Sequence, residues 1–309
     1  MLLSGCQNLV KNALLHATSY PHDAATTNMI KTEFDIQTRQ FCDPIYGCYD
    51  YLFAANKANK KRLKMNNAAN FTDKEHKTSL LIERKNIPGF SGSVVLIHGF
   101  RGSKEWMALS AAYFQFLGFD VYLLDLMGHG DYSVSKGFGV NDVDYIASFI
   151  QHNLDASLPI IAVGNSMGGL VASYLASQKH VDLAILQAPM TQFDEGLRGH
   201  LQERQPWYRF LLTDNTINKG AAKALSEVGI SNSQTNSIVL LKQTPTPILI
   251  FASNTDSVSP YSAFEGLSSP LIEVVKVEDV EHAYMSMIGQ GEHNKITRWL
   301  SSKLLGNSL

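Results

Sequence analysis

Cysteine is scarce in this chain, three among 309 residues, and its arrangement excludes more than its number does. Cys6, Cys42 and Cys48 form no Cys-x-x-Cys pair and have no histidines nearby at ligand spacing, which argues against a structural zinc site. Charge is also sparse. Only 17% of residues are charged and the net charge is -2, so there is no electrostatic footprint for nucleic acid. No uninterrupted apolar run reaches about 18 residues, the length a bilayer-spanning helix needs, and no internal repeat or low-complexity tract is visible. Hydrophobic residues make up 45%, the balance of a globular chain, and the length suffices for one large domain or a domain with an insertion.

What is present becomes regular only some way into the chain. Residues 7–28 show no clear period, and 1–28 read as a lead-in or tether, with the main domain over 29–309. In MIKTEFDIQT (29–38), Ile30, Thr32, Phe34 and Ile36 alternate with polar residues, which predicts a half-buried strand. The basic run KANKKRLK (57–64) reads as a solvated helix face, with a membrane-headgroup contact as the alternative. TSLLIERK and SVVLIHGF predict strands, the second apolar enough to be buried on both faces. From there helices and short apolar strands alternate: SKEWMALSAAYFQFLG, FDVYLLDLMG, NDVDYIASFIQHNL, PIIAVGNS, MGGLVASYLASQ and VDLAILQAP. TPILIFAS and IEVVKVED add two strands, and a helix near 291–305 closes the chain. This rhythm means an α/β fold with a mostly parallel sheet covered on both faces. It breaks between about 190 and 245, where a cap of short helices is expected, and where Trp207, Tyr208, Phe210 and Leu211 form an aromatic and apolar cluster.

The most informative residues are GNSMG, Gly164 to Gly168, between the strand PIIAV and the helix that follows. A Gly-x-Ser-x-Gly turn there exposes the serine hydroxyl at the top of the sheet, because the small flanking residues let strand and helix approach. Ser166 is therefore the candidate nucleophile. A serine needs a base, and the base needs an orienting acid. Asp256 follows the strand TPILIFAS and His282 follows IEVVKVED, so both lie at the sheet edge where Ser166 emerges, in the order serine, acid, histidine. Asp194, after the preceding strand, is the substitute acid. An oxyanion formed at this serine would need backbone donors, for which the amides of Met167 and of Phe100, in His98-Gly99-Phe100-Arg101-Gly102, are the candidates. His98 reads as a structural residue of that loop.

HGFRG, DLMGHGDYS (125–133) followed by GFGVNDVDYIASFI, GNSMGG, the Asp256 loop and His282 together resemble the α/β-hydrolase superfamily over about residues 78–305. Within it the chain is similar to the branch of serine-aminopeptidase-like hydrolases, monoacylglycerol lipases and lysophospholipases. The resemblance implies a central sheet of about eight strands, a cap over the site, no cofactor, and ester or amide hydrolysis. His129 of the GHG turn matches a loop-shaping residue of the family. Asn165 stands where histidine is frequent in this branch, and Glu281 where glycine is common.

The function expected on this basis is hydrolysis of carboxylic esters, lipid-like or other acyl esters, with Trp207, Tyr208 and Phe210 contacting the acyl chain. Aminopeptidase, amidase or acyltransferase chemistry on the same triad is the alternative, and an aminopeptidase would need a carboxylate such as Glu195 or Glu203 for a free amine. A non-catalytic binding protein on the same scaffold would be expected to lack a triad member, and dehalogenase and epoxide-hydrolase relatives carry aspartate where Ser166 stands. The N-terminus bears on location. Leu3-Ser4-Gly5-Cys6 reads like a lipoprotein cleavage box, in which the cysteine becomes a lipid-bearing N-terminus, yet the apolar core of about 7–15 residues is lacking. A start assigned downstream of the true initiator would reconcile the two. The favoured expectation is then a bacterial cell-envelope lipoprotein associated with the membrane through lipidated Cys6, with a cytoplasmic enzyme as the alternative. On that reading Cys42 and Cys48 remain as an even pair that a disulfide could bridge in an oxidising compartment. Spacing alone leaves the pairing open.

Overall fold

The computed structural model describes residues 2–69, 75–206 and 212–306. Two helices come first, α1 (Leu2–Leu15) and α2 (Ala24–Phe34). Most of the strand expected over 29–38 is thus helix. Ile30 and Phe34 fit a period of two, but together with Thr27 they also lie on one helical face. The ends decide between the two. The Asp23 carboxylate accepts hydrogen bonds from the amides of Ala25 and Thr26, and Asp35 stops the helix in the left-handed region at φ 54°.

The strands that follow, β1 (Ile36–Asp43) and β2 (Gly47–Ala54), form an antiparallel hairpin that the sequence reading did not contain. Its turn is built on Asp43, whose carboxylate accepts from the amides of Ile45 and Tyr46. Cys42 and Cys48 face each other across the hairpin and are joined by a disulfide.

β3 (Arg62–Ala69) and β4 (His76–Glu83) make a separate two-stranded sheet. The basic run at 57–64 therefore passes through a turn into β3 and presents no helix face. β4 is the strand expected from residue 78, but it stands outside the main sheet. Leu80 and Ile82 are buried while Ser79 and Leu81 are exposed, a half-wet pattern unsuited to a central strand. In β5 (Ser93–Ile97), by contrast, every residue is buried.

Beyond β5 come α3 (Ala108–Leu117), β6 (Asp120–Leu124), α4 (Asp142–Asn153), β7 (Ile160–Asn165), α5 (Met167–Ser177) and β8 (Leu183–Gln187). Helices α6 (Phe193–Arg204), α7 (Asp214–Glu227) and α8 (Ser237–Leu241) occupy the interval read as a cap. The chain then completes β9 (Ile248–Ser253), β10 (Ile272–Val277) and α9 (Gln290–Leu304). The main sheet has eight strands in the order β1-β2-β6-β5-β7-β8-β9-β10. Only β1/β2 and β2/β6 pair antiparallel, so the carboxyl ends of β5 to β10 share one edge.

One face of the sheet is covered by α4, α5 and part of the cap, through Ile146, Phe149, Leu170 and Leu225. The other is covered by α2, α3 and α9, through Phe34, Phe114 and Trp299. Part of the segment 7–28 packs on the domain, with Leu14 and Thr27 buried. Helix α1 lies along α7, where Gly220 is so close that a Cβ added there would come within 2.5 Å of Val10. Lys11 pairs with Glu227 across the same contact, and Cys6 is a half-buried free thiol on α1. No helix among the described residues is long and apolar enough to cross a membrane.

Candidate active site

The turn between β7 and α5 has no room for side chains beside the serine. A Cβ on Gly164 would sit 2.1 Å from the carbonyl oxygen of Gly168, and one on Gly168 would sit 2.2 Å from that of Ile97. Ser166 lies between them at φ 53° and ψ -114°, a conformation that L-residues avoid unless the surroundings impose it. Hydrogen bonds from the Ser166 amide to the Gln187 carbonyl and from the Met190 amide to the Ser166 carbonyl hold it there, both at 3.0 Å.

The imidazole of His282 spans the gap between Ser166 and Asp256. Its Nε2 is 2.9 Å from Ser166 Oγ and its Nδ1 2.8 Å from Asp256 Oδ2. With the ring proton on Nδ1, directed at the carboxylate, Nε2 is left to accept from the serine hydroxyl. Asp256 is buried, and its second oxygen accepts from the amides of Val258 and Ser259, each at 2.8 Å, which fixes the carboxylate plane. Burial works against the imidazolium of His282. The adjacent Asp256 carboxylate and, further off, that of Glu203 outweigh it and hold the His282 pKa above the ordinary histidine value. The substitute acid, Asp194, is engaged elsewhere, accepting from Gln192, Asn232 and the Glu195 amide.

The loop after β5 approaches the serine from the other side. Gly102 donates its amide to the Gly99 carbonyl at 2.9 Å, closing a tight turn around Phe100 and Arg101. Among the described residues, no backbone hydrogen bond outside the helices and strands uses the amides of Phe100 or Met167. His98 is buried at the base of this loop. It accepts from the Leu126 amide at Nε2 and donates from Nδ1 to the Gly99 carbonyl, and burial lowers its pKa, so it is a neutral brace between β5 and β6. His129 is also buried, donates from Nδ1 to the Met127 carbonyl, and packs its ring edge-on to Phe100.

Beneath the loop lies an ion pair that sequence reasoning missed. The Lys104 ammonium reaches Asp125 Oδ2 at 2.6 Å and Asp131 Oδ2 at 2.8 Å, while the Lys104 amide donates to Asp125 Oδ1 at 2.7 Å. Lys104 and Asp125 are each only 1% exposed. Both residues lie in stretches already singled out, but 21 positions apart, and only the β5–β6 crossover brings them together.

Trp207, Tyr208, Phe210 and Leu211, read as acyl contacts, lie outside the described residues. The aromatic wall that is described has another source. Phe100 stacks on Phe138 and meets Phe193 edge-on, with ring centroids 6.2 and 5.9 Å apart. Phe193 opens α6, so one residue of that helix joins the loop after β5 in a single apolar cluster, in which Phe138 and Phe193 are buried. Of the two cap carboxylates considered for an amine, Glu195 accepts from the Thr191 hydroxyl. The Glu203 carboxyl is raised by burial, with His282 opposing and Asp256 and Glu281 adding to the shift. Its Oε1 has no hydrogen-bond partner among the described residues. Also among the described residues, no cluster of three or more His, Cys, Asp or Glu side chains is arranged to hold a metal ion.

Residues 90–238 match the family model described as serine aminopeptidase, S33. No curated protein matches the chain in sequence. Solved structures do resemble it in shape. An esterase from Pyrococcus furiosus superposes with a TM-score of 0.60 at 14% identity, over 94% of this chain and 97% of that one. A 2,6-dihydroxy-pseudo-oxynicotine hydrolase gives 0.57 at 13% identity, over 93% and 74%. An acylaminoacyl peptidase from Pyrococcus horikoshii gives 0.51 at 14% identity, over 90% of this chain but 44% of its own. At these identities the likeness is one of fold, and it extends over strands on both sides of the segment matched by the family model. The chain has the α/β-hydrolase fold, and residues 90–238 of it match the serine aminopeptidase family model.

Proposed function

We propose that this protein is a serine hydrolase that cleaves carboxylic esters carrying an apolar acyl group. The observation that carries the reading is the hydrogen-bonded line from Asp256 through His282 to the strained Ser166. Ser166 Oγ attacks the ester carbonyl as its proton passes to His282 Nε2, and Asp256 stabilises the imidazolium that results. The amides of Phe100 and Met167 receive the oxyanion of the tetrahedral intermediate. His282 returns the proton to the departing alcohol, leaving the acyl group on Ser166. Water, deprotonated by His282, then releases the acid. The half-buried Phe100 ring, backed by the buried rings of Phe138 and Phe193, supports an apolar acyl chain, since burying each CH₂ contributes about 0.8 kcal/mol.

A fluorophosphonate probe tests the nucleophile. It is expected to label the protein and to leave Ser166→Ala unlabelled; labelling that survives the substitution would sink the assignment. One observation favours a second reading, cleavage of amides with a free amine. Glu203 is a partly buried carboxyl within electrostatic reach of His282 and could hold an ammonium. A panel of nitrophenyl esters of graded acyl length beside aminoacyl nitroanilides separates the two, and faster cleavage of the anilides would overturn the esterase reading.

The raised pKa of His282 sets the pH profile. Only the neutral imidazole acts as base, so kcat/KM is expected to rise with pH, with its midpoint above the ordinary histidine value. Glu203→Gln removes an anion that favours the imidazolium, and the midpoint then moves to lower pH. A midpoint that stays in place or moves upward in that variant would show that Glu203 does not act on the base. By the same linkage, the stability contributed by His282 is full below the unfolded-histidine pKa and fades as pH rises through the folded value.

A further inference from the structure

The segment between α1 and α2 crosses the loop that carries Phe100, and the two are bound at several points. The Tyr20 amide donates to the Arg101 carbonyl at 2.7 Å, and Arg101 Nε donates to the Thr18 carbonyl at 2.9 Å. The Arg101 guanidinium lies over the Tyr20 ring, 4.0 Å from its centroid. On either side, the Trp106 indole donates to the Tyr20 carbonyl, and the Gly130 amide donates to the Ser19 hydroxyl in the GHG turn. The Tyr20 hydroxyl reaches on to His200 of the cap at 3.4 Å.

Arg101 has φ 61°, unusual for a residue with a long side chain. Such a conformation persists only where surrounding contacts hold it. Here the backbone carbonyl, the Nε and the flat face of the guanidinium all meet residues 18–20, one residue away from the Phe100 amide.

We infer that residues 18–20 are a positioning strap for the oxyanion loop, and that the Tyr20–Arg101 stack is the contact that keeps the Phe100 amide aimed at the reacting carbonyl. The inference rests on the hydrolase reading above. Neither residue touches the substrate: Tyr20 acts through Arg101, and Arg101 acts through the backbone. Because α1 is docked on α7 and the Tyr20 hydroxyl reaches α6, the same strap ties the cap to the oxyanion loop.

An oxyanion donor pointing away from its target costs transition-state binding and leaves ground-state binding intact. Tyr20→Ala is therefore expected to lower kcat for a nitrophenyl ester about tenfold, with KM within about twofold. Tyr20→Phe retains the ring under the guanidinium and should restore kcat to near the wild-type value. Arg101→Ala, which also removes the hydrogen bond to the Thr18 carbonyl, should cost at least as much as Tyr20→Ala, and the double variant should be no slower than Arg101→Ala, because the stack is already lost in it. Affinity for a trifluoromethyl ketone, which forms a tetrahedral adduct, should fall by the same factor as kcat. Thermal melts of all four proteins separate these effects from loss of fold.

Losses that multiply in the double variant, a loss confined to KM, or failure of Tyr20→Phe to recover would each overturn the strap. Fluorophosphonate labelling separates the two levels of the argument. A labelled wild type whose strap variants keep full kcat overturns this inference alone, whereas an unlabelled wild type overturns the hydrolase reading and the strap with it.

Discussion

Replacing Ser166 with alanine is expected to lower kcat on the best ester by about 10⁶-fold while leaving KM within a few-fold. The substitution removes one oxygen and keeps the Cβ that the turn already accommodates, so the fold should be undisturbed. In the proposed mechanism the hydroxyl is the only atom of the line that bonds to substrate. Without it His282 has nothing to deprotonate except water, and Asp256 orients a base with no task. The same reasoning fixes the pattern of a mutant series. His282→Ala should cost about as much as Ser166→Ala, and the double variant no more than either, because the groups act as a unit. Asp256→Asn keeps the shape but removes the charge that holds the Nδ1 proton, and is expected to cost about 10⁴-fold. Steady-state kinetics with melting temperatures for each variant decide the matter. Multiplying effects, or a Ser166→Ala protein that still turns over ester at an appreciable rate, would place the nucleophile elsewhere.

Much of this site was legible in the sequence because its requirements are local. Gly164 and Gly168 flank Ser166 within five residues, and the short apolar strands before Asp256 and His282 announce which sheet edge those residues share. What escaped depended on choices between patterns or on distance. Ile30 and Phe34 satisfy strand and helix alike, and the arbiter was a cap at Asp23 lying outside the periodic stretch. The β1–β2 hairpin turns on the Asp43 side chain in FCDPIYGC, whose amide partners at Ile45 and Tyr46 are set by the turn rather than by any periodic pattern. TSLLIE forms a strand, but its half-wet pattern suits an edge strand of the main sheet, as β1 is, no less than a separate hairpin, and pairing with β3 decides it. The strap at residues 18–20 has no sequence signature at all. Its contacts are mostly to backbone atoms, and it becomes visible only when α1 is seen against the cap.

The Lys104–Asp125 pair escaped for the same reason, and its removal carries the second large expected effect. Lys104→Ala should destabilise the fold by about 3–5 kcal/mol, the usual result when one partner of a buried ion pair is deleted. The cost arises less from the lost attraction than from what is left behind. Asp125 is 1% exposed, and without the ammonium its charge is met, among the described residues, by the amides of Lys104 and Asp131. Asp131 is mostly solvent-exposed, so its own contact with Lys104 adds little. This account makes a distinguishing claim. Lys104→Met combined with Asp125→Leu removes both charges, and should be far more stable than Lys104→Ala alone even though it deletes more polar contacts. For a chain of this size the single variant should melt about 10 °C lower. Urea unfolding should show the same ordering with an unchanged m value. The pair also anchors the chain just beyond Gly102, so kcat of the single variant should fall at temperatures where the protein is still folded. If the double variant is as unstable as the single one, the buried carboxylate is not the source of the loss, and the ammonium's own contacts stabilise the loop.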